Sequence, residues 1–275
     1  RIARLRHERA QILGYSSHAS YVLENRMAES PEKVLDFLEE LSEHAHPAAQ
    51  REMQNLQEFA KKLDGLEQLE RWDTAYYTEK LKEQKFQISD EQTKPYFELY
   101  KTVNGMFSVA SRLYGLNFIA REDIPVYHEE VKTYEVQDEN GRHIAVFYAD
   151  FFPREGKRDG AWMTSYRSQG KAPNGEDLRP HISIVCNFTR PTKSTPSLLS
   201  FREVTTLFHE FGHALHGMLS EVTYKGLSGT SVYWDFVELP SQLMENWTYE
   251  KACLDLFATH YKTGEPIPAD IVDKL

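Results

Sequence analysis

A mainly α-helical protein, with a small β-sheet inserted ahead of its last helical part, is the fold class this sequence predicts. Three observations carry that expectation. Apolar residues recur at helical spacing from Arg1 to about Tyr114. A Val- and Tyr-rich stretch with an Asn-Gly turn then interrupts them, and helical spacing resumes after Pro196. The expected boundaries are a helical region over 1–120, a small β-rich region over 121–195 and a second helical region over 196–275, all parts of one unit.

The first region is rich in Glu, Lys, Leu, Ala and Gln, with Val34, Leu35, Leu38 and Leu41 spaced as one helix face. In "AESPEKVLDFLEEL", Ser30 is placed to cap a helix and Pro31 to occupy its first turn, and a second helix is expected from near Pro47 to Leu63. Charged residues here read as solvated faces, and no repeat emerges. Between about Ile124 and Asn187, "VKTYEVQDENGRHIAVFYADFF" predicts a hairpin turning at Asn140-Gly141, and "HISIVCNF" predicts another strand. Gly- and Pro-containing stretches between them, "PREGKRDGAW" and "SQGKAPNGEDLRP", predict loops.

With 275 residues, 40% of them hydrophobic and 12% aromatic, the chain can bury a large core, so disorder is excluded. A net charge of −10 without basic runs argues against a nucleic-acid surface. No apolar run approaches the roughly 18 residues that cross a bilayer, so no membrane partner is expected. Cys186 and Cys253 are too few for a disulfide framework and are expected as buried thiols, which favours a reducing compartment. A monomer in the cytoplasm is the expectation, with a periplasm as the alternative. Both "RIARLRHERAQILGY" at the start and "GEPIPADIVDKL" at the end suggest an internal part of a longer protein.

The chemistry concentrates in "TLFHEFGHALHGML". Ser200 and Glu203 form an S-x-x-E capping box, and the helix it starts carries Val204, Leu207, Phe208, Phe211, Leu215 and Met218 on its buried side. His209 and His213, four residues apart, share a face at a separation that lets two imidazoles bind one Zn²⁺. Glu210 stands about 100° round the helix and is placed to act as general base on a water the metal activates. His216 is expected as a neighbour of the metal pocket rather than a ligand. A catalytic zinc needs a third protein ligand. "DFVELPSQLMENW" predicts a second helix from near Asp235 with Pro240 in its first turn, and it offers Glu238, Asp235 and Glu245. Glu238 is preferred, with Glu245 as the partner of a ligating histidine. The bland alternative is a non-catalytic zinc-binding helical protein, against which Glu210 counts, because a structural site has no use for a base.

"LFHEFGHALHG" followed by "LSGTSVYWDFVELPSQLMENW" resembles the M3 family of zinc metallopeptidases, the group of thimet oligopeptidase and oligopeptidase A. "WDTAYYTEKL", "NGMFSVASRLYGLNF", "FYADFFPREGKRDGAWM" and "VCNFTRP" extend the resemblance along nearly the whole chain. It implies a large helical peptidase fold with a deep substrate channel, one Zn²⁺ per chain held by His209, His213 and Glu238, and Glu210 as catalytic acid and base. Short peptides are the implied substrates. Gly160, Ala161 and Trp162 resemble an edge strand on which a substrate backbone pairs. "CNF" and "DFVELPSQ" most resemble the bacterial peptidyl-dipeptidases, which remove dipeptides from free C-termini, with an oligoendopeptidase as the alternative. The resemblance also implies that oxyanion-stabilising residues lie beyond Leu275.

Overall fold

Ser30 starts the longest helix as its short hydroxyl side chain allows, accepting the Lys33 N–H at 3.2 Å while Pro31 takes the first turn, where its missing N–H costs nothing. The computed structural model describes all 275 residues and divides them into two compact units, Arg1–Ser89 with Tyr233–Asp235, and Asp90–Val232 with Phe236–Leu275.

The first unit is helical, with α1 (Ile2–Ile12), α2 (His18–Leu23), α3 (Pro31–Asp64) and α4 (Thr74–Phe86). The expected break at Pro47 does not occur: α3 is one helix of 34 residues that passes through the proline. Pro47 forfeits a single hydrogen bond, to the Glu43 carbonyl, and strong helix formers on both sides carry the helix across. Gly65, at φ 72°, closes α3 with a left-handed cap that an L side chain would resist. The unit's core is small, with Leu56, Ala60 and Tyr77 buried among Phe59, Leu66, Leu69 and Leu81.

The second unit holds the short α5 (Asp90–Thr93), α6 (Leu99–Tyr114), seven strands and the remaining helices, apart from the first half of the short helix at Trp234–Val237. Strands β1 (Asn117–Ala120), β2 (Lys132–Gln137), β3 (His143–Asp150), β4 (Trp162–Arg167) and β7 (His181–Val185) form one sheet in the order β1-β2-β3-β7-β4. Small strands β5 (Gly170–Lys171) and β6 (Asp177–Leu178) pair separately within a stretch expected to be loop. The β2–β3 hairpin turns at Asn140-Gly141, with Gly141 at φ 78°, as expected. β3 is central and almost wholly buried, which is why its side chains form an unbroken apolar run; it pairs antiparallel with β2 and parallel with β7. β4 pairs only with β7, so its outer edge is free.

Helix α7 (Phe201–Met218) packs its apolar stripe on this sheet. Phe211 meets Phe107, Phe118 and Phe147 at centroid distances of 5.7–5.8 Å, and Phe107 stacks on Phe118 at 4.2 Å. Each such side chain contributes about 1.5–3 kcal/mol by burial. The helix expected from near Asp235 is two short ones, α8 (Trp234–Val237) and α9 (Leu239–Glu245), because Pro240 cannot donate to the turn before it. The short α10 (Lys251–Leu254) and α11 (Ala269–Val272) complete the chain, and both cysteines are buried free thiols. The protein is mainly α with a small mixed sheet. No helix is long and apolar enough to cross a membrane.

Candidate metal centre

The capping box forms fully: Ser200 Oγ accepts the Glu203 N–H at 3.2 Å, and the Glu203 carboxylate accepts the Ser200 N–H at 2.8 Å. This sets the start of α7 and therefore the rotation at which its later residues emerge. His209 and His213 stand on one face, with ring centroids 4.9 Å apart. Facing them is Glu238, which the break before Pro240 leaves at the N-cap of α9. Its Oε2 lies 3.3 Å from His209 Nε2 and 3.0 Å from His213 Nε2, and the three potential ligand atoms all fall within 4.8 Å of one another.

The approach of α9 to α7 depends on Gly212. A Cβ there would lie 2.5 Å from the Pro240 carbonyl oxygen and 2.6 Å from Ser241 Cα, backbone atoms that cannot swing aside. Ser241, fully buried, places its hydroxyl 2.9 Å from Glu238 Oε2 and 2.8 Å from the Glu238 carbonyl oxygen. The carboxylate oxygen that faces both histidines is thus also the one the serine holds.

Glu245, two turns along from Glu238, places Oε1 2.5 Å from His209 Nδ1. A proton on Nδ1 shared with this carboxylate leaves the Nε2 lone pair aimed at Glu238. Burial lowers the His213 pKa, so that ring is neutral at pH 7 and its Nε2 is also available as a donor atom. Two imidazole nitrogens and a carboxylate oxygen are a hard-to-borderline donor set of the kind zinc takes, and separations of 3.0 and 3.3 Å match the roughly 3.3 Å edge of a tetrahedron with bonds of about 2.0 Å.

Glu210 is only 6% exposed, and its Oε2 has no hydrogen-bond partner. Burial pushes its pKa up to about 7; the nearby His209 opposes that shift and the Glu238 carboxylate adds to it. Together with His209, Glu245 and Ala161, Glu210 lines an open cavity of about 400 Å³. Gly160, at φ 91°, ends the loop before β4, and Trp162 opens that free-edged strand. Asn187 donates to the Arg158 carbonyl at 3.0 Å and the Gly160 carbonyl at 2.7 Å, pinning the turn. Asp150, at the end of β3 and 1% exposed, accepts from Arg154, Lys157 and Tyr127 at 2.7–2.9 Å. Lys157 also donates to the Phe152 carbonyl, so the loop leading to Gly160 is tied from both ends.

The structure therefore brings His209, His213, Glu238, Glu210 and Glu245 together, with Ala161 on the same cavity. The other two candidates lie elsewhere. Asp235 accepts the Met27 N–H at 2.7 Å. His216 packs edge-on against Phe236, 6.3 Å between centroids, beside Gly212, Leu215 and Pro240, with a buried Nδ1 that has no partner. Ser241, Asn187 and Asp150 were not singled out in the sequence. Gly212 was a readable signal, since a glycine inside a strong helix pattern marks a close approach.

The model of peptidase family M3 matches residues 1–275. The chain belongs to peptidase family M3. Over 275 residues it is 47% identical to oligopeptidase A of Salmonella typhimurium and 46% identical to oligopeptidase A of Escherichia coli. Dipeptidyl carboxypeptidase of Escherichia coli is 38% identical over 276 residues. Each match covers 100% of this chain, which spans 40% of the length of each of these relatives.

Proposed function

We propose that the protein carrying this chain hydrolyses peptide bonds in short oligopeptides, using one Zn²⁺ held by His209, His213 and Glu238. The observation that carries this reading is the convergence of His209 Nε2, His213 Nε2 and Glu238 Oε2 beside the unpartnered carboxylate of Glu210. Membership of a peptidase family, and the names of the oligopeptidase A and dipeptidyl carboxypeptidase relatives, support it. When bound in such a site, zinc supplies Lewis-acid polarisation of the scissile carbonyl and acidifies water. Glu210 takes the proton of the attacking water and returns it to the leaving amine, a role suited to a carboxyl with a pKa of about 7. Glu245 orients His209, and Ser241 orients Glu238. The backbone around Gly160, Ala161 and Trp162 offers a free strand edge for an extended peptide. The working compartment under this reading is the cytoplasm, and the working form is a monomer.

Two cleavage modes follow from different supports. The "CNF" and "DFVELPSQ" words favour release of dipeptides from a free C-terminus. Identities of 47% and 46% to oligopeptidase A, against 38% to dipeptidyl carboxypeptidase, favour internal cleavage. A peptide assayed as free acid and as C-terminal amide separates them, since dipeptide release requires the free acid and internal cleavage does not. The reading as a whole is tested by Glu210→Gln in the complete protein. Hydrolysis is expected to disappear while about one zinc per chain remains bound; a fully active variant would sink the mechanism.

A further inference from the structure

Seven residues before His209, and so two turns earlier on nearly the same face of α7, stands Arg202. It lines the cavity that contains Thr205, Thr206, His209, Glu210 and Ala161. In the same unit Arg121, Arg142, Arg154, Arg179 and Arg190 pair with carboxylates, while Arg158 lies over the Trp162 ring and Arg167 donates to the Arg179 carbonyl. The Arg202 guanidinium has no ion pair and no hydrogen bond; only its backbone carbonyl is used, by Thr206 Oγ1. Its immediate neighbour Glu203 is committed to the Ser200 and Thr189 N–H groups, and Glu245 to His209, so neither nearby acid neutralises it. Its place also opposes helix stability, because a cation in the first turn meets the positive end of the helix dipole. Arg202 is exposed to solvent, and within the protein neither an ion pair nor the helix itself engages its charge.

The length scale fits a peptide. Seven helical residues span about 10 Å, and two extended peptide residues span about 7 Å, a difference that the flexible arginine side chain covers. The geometry points to Arg202 as a carboxylate-binding subsite at the far end of the catalytic cavity, taking a substrate carboxylate about two residues from the cleaved bond. That carboxylate is either the free C-terminus or an acidic side chain at the same place, and the guanidinium fork can hold either through two parallel hydrogen bonds. The inference rests on the reading of this cavity as the hydrolytic site.

The test uses the complete zinc-loaded protein and three quenched fluorescent peptides of one core sequence: a free acid, its C-terminal amide, and an amide whose last residue is Glu. Wild type is expected to favour at least one carboxylate-bearing peptide over the plain amide by roughly twofold to fivefold in kcat/KM, the scale of an ion pair made by a solvent-exposed guanidinium. Arg202→Gln should erase that preference mainly through KM, with zinc content unchanged, and Arg202→Lys should restore part of it. Loss confined to the free acid assigns the subsite to the terminus; loss confined to the Glu-ending amide assigns it to a side chain. Equal cleavage of all three peptides by wild type, or a wild-type preference retained by Arg202→Gln, overturns the inference alone. No cleavage of any peptide by wild type overturns the hydrolytic reading and this inference with it.

Discussion

In the first unit, α3 runs for 34 residues and buries only Leu56 and Ala60, whereas α7 in the second runs for 18 and buries eleven. The two helices start with the same device, a serine N-cap, yet they are held by different forces. α3 is maintained by local terms: Ser30, Pro31, the Gly65 cap and a run of strong helix formers. α7 is maintained by its packing between the sheet and α9. A helix covered on several sides can keep a carboxylate and an imidazole away from water, and that is what shifts Glu210 and His213 from their ordinary pKa values. The ion pairs divide in the same way. Arg4 with Glu8 is exposed, while Lys157 with Asp150 is 3% and 1% exposed at the side chains.

The sharpest way to break this contrast is Asp150→Ala. It strands Lys157 and Arg154, and a loss of about 3–5 kcal/mol is expected in a denaturant titration, against less than about 1 kcal/mol for Glu8→Ala. Burial pushes the Asp150 carboxyl up, but its bonds from Arg154, Lys157 and Tyr127 outweigh burial and hold it below the usual value. Its contribution is therefore complete above about pH 4 and is lost as pH falls through the lowered native value. The gap between wild type and Asp150→Ala should narrow on acidification; a gap that widens would show the carboxylate is not the stabilising form.

Gly212→Ala is next. The added Cβ collides with the backbone of α9 and should cost about 1–3 kcal/mol by thermal melting, with weaker zinc binding because Glu238 moves with α9. Unchanged zinc affinity in a destabilised variant would separate the helix contact from the metal centre. Ser241→Ala removes the hydroxyl beside Glu238 Oε2 and is expected to weaken zinc binding about 10–100-fold in a competitive chelator titration. The smallest effect belongs to the first unit: Leu38→Gln, at a position 50% exposed on α3, should change stability by no more than about 0.5 kcal/mol. A larger loss would mean that α3 is held by a contact its local terms do not include.

Several features were legible in the sequence because their causes are short-ranged. The Ser30 and Ser200 caps, the Asn140-Gly141 hairpin and the shared face of His209 and His213 each involve residues a few positions apart. Two local expectations failed for a physical reason of the opposite kind. Pro47 did not end a helix, since losing one bond is outweighed by the rest of a long helical run, whereas Pro240 did separate α8 from α9, both of them short. On spacing Glu238 is preferred to Asp235 and Glu245, with Glu245 expected beside a ligating histidine, and the folded chain places the other two carboxylates apart. Asp235 accepts the Met27 N–H, and Glu245 meets the other nitrogen of His209.

By itself the sequence determined the mainly helical class, the inserted sheet and the H-E-x-x-H face of α7, because caps, periodicity and i,i+4 geometry act within one or two turns. Only the tertiary structure set Glu238 Oε2 against both histidines, put the Ser241 hydroxyl on that same oxygen and left Arg202 unpaired beside the cavity. Those outcomes depend on how closely α9 settles against Gly212 and on which side chains find partners. Both are set by packing between segments far apart in the chain.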